Sequence, residues 1–152
     1  MSDKAIIIAA NPNYGDGGKV NKHIEHAEIN GKVFWHLVPP GDRDISWAHP
    51  GIRKGYFYIS GTDEVVYKFF IEDARRISEY KDANLEDKMK KYIPEFRENR
   101  WKENANRYAL LIKNINKINP MRLDQFKLAA TGKDVKRIMN YVIVFDKPIS
   151  GD

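Results

Sequence analysis

A chain of 152 residues with no cysteine has room for one domain with a proper hydrophobic core, and it excludes a disulfide framework, a thiol nucleophile and a cysteine-ligated metal. Its 42% apolar and 12% aromatic content is too high for a wholly disordered chain, and its longest apolar runs, Ala5–Ala10 and Tyr108–Ile112, are too short to cross a bilayer. With 26 Lys and Arg against 21 Asp and Glu the net charge is +5, which favours a polyanionic partner without specifying one.

Lys4–Ala10 (KAIIIAA) reads as a short buried strand, and the Asn-, Pro- and Gly-dense Asn11–Lys19 as a loop. Val20–Ile29 is expected to form a short helix with Ile24, Ala27 and Val20 on one face, closed by an Asn30-Gly31 turn. Lys32–Val38 (KVFWHLV) is the next strand, stopped by Pro39-Pro40-Gly41; Asp42–Lys54 is irregular. Gly55–Ser60 and Glu64–Ile71, joined by Gly61-Thr62-Asp63, form the clearest hairpin. Ser78–Lys91 is highly charged, with a helical turn expected around Leu85–Met89, and Tyr92–Asn106 reads mostly as loop. Arg107–Ile115 is a strong strand, Met121–Leu128 and Asp134–Met139 are expected to be short helical or turn segments, and Tyr141–Phe145 (YVIVF) is the last strand. About five strands without a βαβ rhythm predict an α+β domain, built as a mainly-β curled sheet or small barrel with short flanking helices.

Several catalytic and cofactor patterns are missing. Gly15–Val20 (GDGGKV) lacks the spacer of a phosphate loop, and Val20 stands where a magnesium-binding Ser or Thr is needed. His23 and His26 are three apart, but no third ligand is suitably spaced. His36 sits among apolar strand residues, as a core histidine would. There is no Gly-x-Ser-x-Gly elbow, and the carboxylates are scattered through basic stretches. The expectation is therefore a non-enzymatic domain with no metal or cofactor. An acid at position three and the lack of signal-peptide architecture lead us to expect a cytoplasmic protein without membrane contact.

The tryptophans are more informative. Trp35 lies in a strand, whereas Trp47 and Trp101 lie in polar stretches, DISWAH and NRWK. An indole exposed to water is costly, so a loop tryptophan either plugs the core edge or lines a binding surface. Two of them flanked by Arg, Lys and His in a basic chain favour a stacking site for a base.

The order of these segments resembles the YTH and EVE domains of the PUA-like superfamily. Phe34-Trp35 within Lys32–Val38 is similar to the first core strand of those domains. Ser46-Trp47 is similar to the segment that supplies their first cage wall, and Gly55–Ile71 to their central hairpin. Arg100-Trp101-Lys102, followed by Arg107–Ile115 and Asn119-Pro120, is similar to their Lys-Trp-Lys segment, next strand and closing turn. The match spans roughly Lys32 to Phe145, leaving residues 1–31 as an extra strand and helix and 147–152 as the start of a linker.

The resemblance implies a reader that holds a flipped, modified base, N6-methyladenine or 5-methylcytosine, in an aromatic cage of Trp47, Trp101 and Phe96. Arg53, Lys54, Arg97, Arg100, Lys102 and Arg107 would hold the nucleic-acid backbone. Those domains carry edge-reading polar residues just after the first strand; here Val38-Pro39-Pro40 offers no side-chain donor, so Asp42, Asp44 or Ser46 would have to serve. Family analogy further implies a DNA-targeting module of a McrB-type restriction system, with a C-terminal motor domain and a nuclease subunit as partners. The competing readings are an RNA-binding PUA-like domain, a small nucleic-acid-processing enzyme and a protein-interaction module. Stacking is the expected energetic basis: one methyl contributes ~0.8 kcal/mol by area, whereas an aromatic wall adds about 1–3 kcal/mol per base against a flipping cost of a few kcal/mol.

Overall fold

The computed structural model describes residues 4–10, 19–36, 52–62, 64–76, 78–79, 91–92, 108–138 and 141–146. Within them are strands β1 (Lys4–Ala10), β2 (Lys32–His36), β3 (Lys54–Ile59), β4 (Glu64–Arg76), β5 (Tyr108–Arg122) and β6 (Tyr141–Phe145), helix α1 (Lys19–Asn30) and a 3-10 turn at Leu123–Gln125. The strands form one sheet in the order β2-β5-β4-β3-β1-β6. All pairs are antiparallel except β1 with β3. Among the described residues β2 and β6 are separate edges, so the expected α+β fold takes the form of an open sheet and not a closed barrel.

The run of apolar residues in β1 suits a strand covered on both faces. Ile6 and Ile8 enter one core cluster, with Val33, Trp35, Phe57, Phe69, Leu110 and Ile112, while Ala5 and Ile7 enter a second, with Tyr56, Val65, Phe126, Val135 and Val144. The N-terminal strand and helix are both present, but β1 is no appendage: it lies between β3 and β6, with Ile6 and Ile7 fully buried. Helix α1 packs Ala27 and Ile24 against the first cluster and leaves Ile29 in solvent. It ends at Gly31, whose φ of 84° is the left-handed conformation that closes helices and whose amide donates to the Ala27 carbonyl at 2.6 Å.

The hairpin forms as expected, with Gly61 at φ 91° and the Thr62 hydroxyl donating to the Ile59 carbonyl at 2.7 Å. At Gly55 the need is for space: a Cβ there would run into the Phe69 ring, so this glycine lets β3 and β4 share one fully buried aromatic.

Two segments differ from expectation. β5 does not close at Asn119-Pro120 but continues to Arg122, so the first half of the Met121–Leu128 segment is strand and 3-10 turn. Pro120 is tolerated because β2 pairs only as far as Lys113, and the register against β4 slips between Lys117 and Met121, where a missing amide costs little. Asn114, with φ 54°, sits at a second slip. The described part of Asp134–Met139 is not helical either. Lys127 bridges Asp134, so the segment lays Val135 and Ile138 over the second cluster, while Lys127–Ala129 meets the outer edge of β6.

Candidate nucleic-acid interface

Strand direction decides which connections lie together. β2 and β4 run one way and β5 and β3 the other, so β2 and β4 finish at the end of the sheet where β5 and β3 begin. Both connections expected to carry cage walls, 37–53 between β2 and β3 and 77–107 between β4 and β5, therefore leave from and return to that one end. The register is close: His36 pairs with Ala109, Ala109 with Arg75, and Tyr108 with Arg76.

The longer connection touches the described structure once more. The Tyr92 carbonyl accepts from the Phe34 amide at 2.8 Å, and the Lys91 carbonyl receives His26 Nε2 at 2.7 Å. In an antiparallel pair the residues of a non-bonded position turn both amide and carbonyl outward, so Tyr92 lies on the side of β2 away from β5. The described ends of residues 93–107, Tyr92 and Tyr108, thus stand on opposite sides of β2, the strand from whose end residues 37–51 depart.

Of the expected site residues, Arg53 and Lys54 are described, and both lie at this end. Arg53 is exposed and donates to the Glu72 carbonyl at 3.3 Å. Lys54 is 3.5 Å from Asp146, whose other carboxylate oxygen accepts from the Tyr56 hydroxyl at 2.6 Å. Trp47, Trp101, Phe96, Ser46, Asp42, Asp44, Arg97, Arg100, Lys102 and Arg107 lie outside the described residues, as do the linker 147–152 and the helical turn expected at Leu85–Met89. Sequence reading missed Arg75 and Arg76, half-buried cations on the overhang of β4 beyond β3. Only the register, which pairs them with Ala109 and Tyr108, brings them to this end.

Trp35 is the one tryptophan among the described residues. It is buried on the helix-covered face, with its ring 4.5 Å from His23 and 4.7 Å from Phe57 between centroids. His23 therefore packs on the indole at a tilt of 51°, and His26 bonds a carbonyl. No group of three His, Cys, Asp or Glu that could hold a metal occurs among the described residues.

On the opposite face Glu72 receives Lys32 Nζ at 2.6 Å and lies 3.5 Å from Lys113 Nζ. The hydrogen bond from Lys32 lowers the Glu72 pKa and raises that of Lys32. A depressed carboxylate contributes stability above its ordinary pKa and loses it as pH falls through the folded value. A raised lysine contributes below its ordinary pKa and loses it as pH rises through the folded value. Between those limits the pair is fully effective, but both side chains are about one-third exposed and solvent-screened. Glu72→Gln should therefore cost only about 0.2–1 kcal/mol at neutral pH. Urea unfolding should show that difference vanish once the pH is well below the ordinary glutamate range.

No family model matches this chain, and no curated protein matches it. Among solved structures it is similar to the YTH domain of the Zygosaccharomyces rouxii MRB1 protein, solved in complex with N6-methyladenosine RNA: the two are 13% identical, the match covers 93% of this chain and 78% of that one, and the TM-score is 0.49.

Proposed function

We propose that this chain binds nucleic acid without catalysing a reaction on it, and that it recognises a modified base held between Trp47 and Trp101, with Phe96 as a further wall. The observation that carries the reading is topological. The segments bearing these residues are attached at one end of the sheet, the described ends of one flanking the strand end from which the other departs. That shared attachment supports a cage built from residues far apart in sequence. Arg53 and Lys54 stand at that end, where cations can hold the phosphates of a strand whose base has been turned out. In the finer form of the proposal the ligand is methylated DNA and the chain is the targeting module of a McrB-type restriction system.

The test is binding to paired oligonucleotides, DNA and RNA, with and without N6-methyladenine or 5-methylcytosine. Preference for a methylated DNA supports the finer proposal, and preference for a methylated RNA moves the same cage to RNA. Indifference to methylation in every pair defeats the reading. Replacing Arg53 and Lys54 by glutamine should weaken modified and plain ligands alike. It should also flatten the dependence of log K on log salt by about 0.9 for each phosphate of duplex DNA that is no longer neutralised. A protein-interaction surface would give no such salt dependence.

A further inference from the structure

The sheet face opposite α1 is unevenly covered. Over β3, β1 and β6 it is roofed by Leu123, Phe126, Val135 and Ile138. Over β2 the Tyr92 ring lies 6.5 Å from Phe34, which is buried, and 6.0 Å from Lys32 Nζ; from there toward β4 the face presents a row of register partners, in which Lys32 faces Lys113, Lys113 faces Phe70, and Phe70 faces Lys54. Along β4 the same face carries Lys68 before Phe70 and Glu72 after it, since Phe69 and Ile71 point into the helix-covered core. Phe70 is 38% exposed, and apart from Ile29 no other large hydrophobic is exposed among the described residues. The ring thus stands with lysines on three sides; its acidic neighbour Glu72 is shared by Lys32 and Lys113, and Lys54 lies 3.5 Å from Asp146.

We infer that this face is a second nucleic-acid contact, on which an unpaired nucleotide stacks against Phe70 while Lys113, Lys68 and Lys54 hold the adjoining phosphates. An exposed aromatic among cations on an antiparallel sheet matches both halves of a nucleotide: a π-face for the base and positive charge for the backbone. An apolar partner is disfavoured because docking would strip water from charged lysines, and from the Glu72 and Asp146 carboxylates that face two of them, as well as from Phe70. A polyanion meets those same charges favourably. The contact involves only base planes and phosphates, so it takes single-stranded DNA and RNA equally and does not sense base methylation. It does not depend on the proposed cage, with which it shares only Lys54.

The experiment titrates short unmodified oligo(dT) and oligo(U) into the Trp47→Ala/Trp101→Ala protein, so that failure of the cage and failure of the sheet face are distinguishable. Binding should persist there and fall about fivefold or more when Phe70→Ala is added. Phe70→Tyr should restore it. Lys68→Gln with Lys113→Gln should reduce the salt slope by about 0.7 for each phosphate of a single strand that is no longer neutralised. Glu72→Gln should raise affinity even as it lowers stability, since it releases two lysines from one carboxylate. Circular dichroism melts keep folding defects apart from binding defects. Unchanged affinity in folded Phe70→Ala, binding confined to one of the two sugars, or weakened binding in Glu72→Gln overturns the inference.

Discussion

Replacing Trp47 by alanine should remove most of the preference for modified over plain oligonucleotide, and replacing Trp101 should do the same. A base held between two planes loses about 1–3 kcal/mol with each plane removed, roughly 5- to 150-fold in affinity. Stacking is also what makes one methyl legible, because a fitted slot converts its small apolar area into a difference between contact and clash. The two losses should not add, since a slot with one wall no longer fixes the base and the second substitution has little left to remove. Fluorescence-anisotropy titrations of methylated and plain strands, with each variant and the pair, provide the check. The assignment fails if discrimination is unchanged with both indoles gone. It is refined if one tryptophan alone matters, which would leave Phe96 to supply the second wall.

The sequence was most legible where local pattern and tertiary environment agree. The apolar runs of β1 and β6 and the Gly61-centred hairpin lie where strand propensity, burial and turn chemistry point the same way. It was least legible where long-range pairing overrides a local stop signal. Asn119-Pro120 reads as a turn, yet β4 holds β5 extended past it, and no local feature announces that β4 itself runs on through Asp73–Arg76. Likewise Asp134–Ile138 reads as a helical or turn segment but is laid back along the chain by the pairing of Lys127 with Asp134, after a turn at Gly132 with φ 73°. For the site, sequence supplied residue types, and topology adds that the connections carrying them begin and finish at one end of the sheet. Nothing near Arg75 or Arg76 in the chain suggests a rim, because their relation to Tyr108 exists only through a strand pairing. Phe70 shows the same limit. Its alternation with Phe69 and Ile71 was readable, but not that it stays exposed while Phe34, on the same face, is buried beside Tyr92.

Trp35→Ala should behave oppositely to the other two tryptophan substitutions, costing stability and sparing recognition. The Trp35 indole is 8% exposed, lies between His23 and Phe57, and is continued by the contact of Phe57 with Phe69, whose centroid is 4.7 Å away. Truncation would empty a volume between His23 of α1 and Phe57 of β3. These elements are tied by their own backbone pairings and cannot close in, so the cavity term adds to the forfeited transfer energy, about 3–5 kcal/mol in all. At about 2–4 °C per kcal/mol for a domain of this size, the melting temperature should fall by about 10 °C, with Trp35→Phe recovering part of the loss. Trp47→Ala and Trp101→Ala should stay close to the parent. Below its own transition the Trp35→Ala protein should still prefer the modified strand, because this indole packs inside the core between His23 and Phe57. A Trp35→Ala protein that melts like the parent but no longer discriminates would place this indole in the recognition site and overturn the division of the three tryptophans between core and cage.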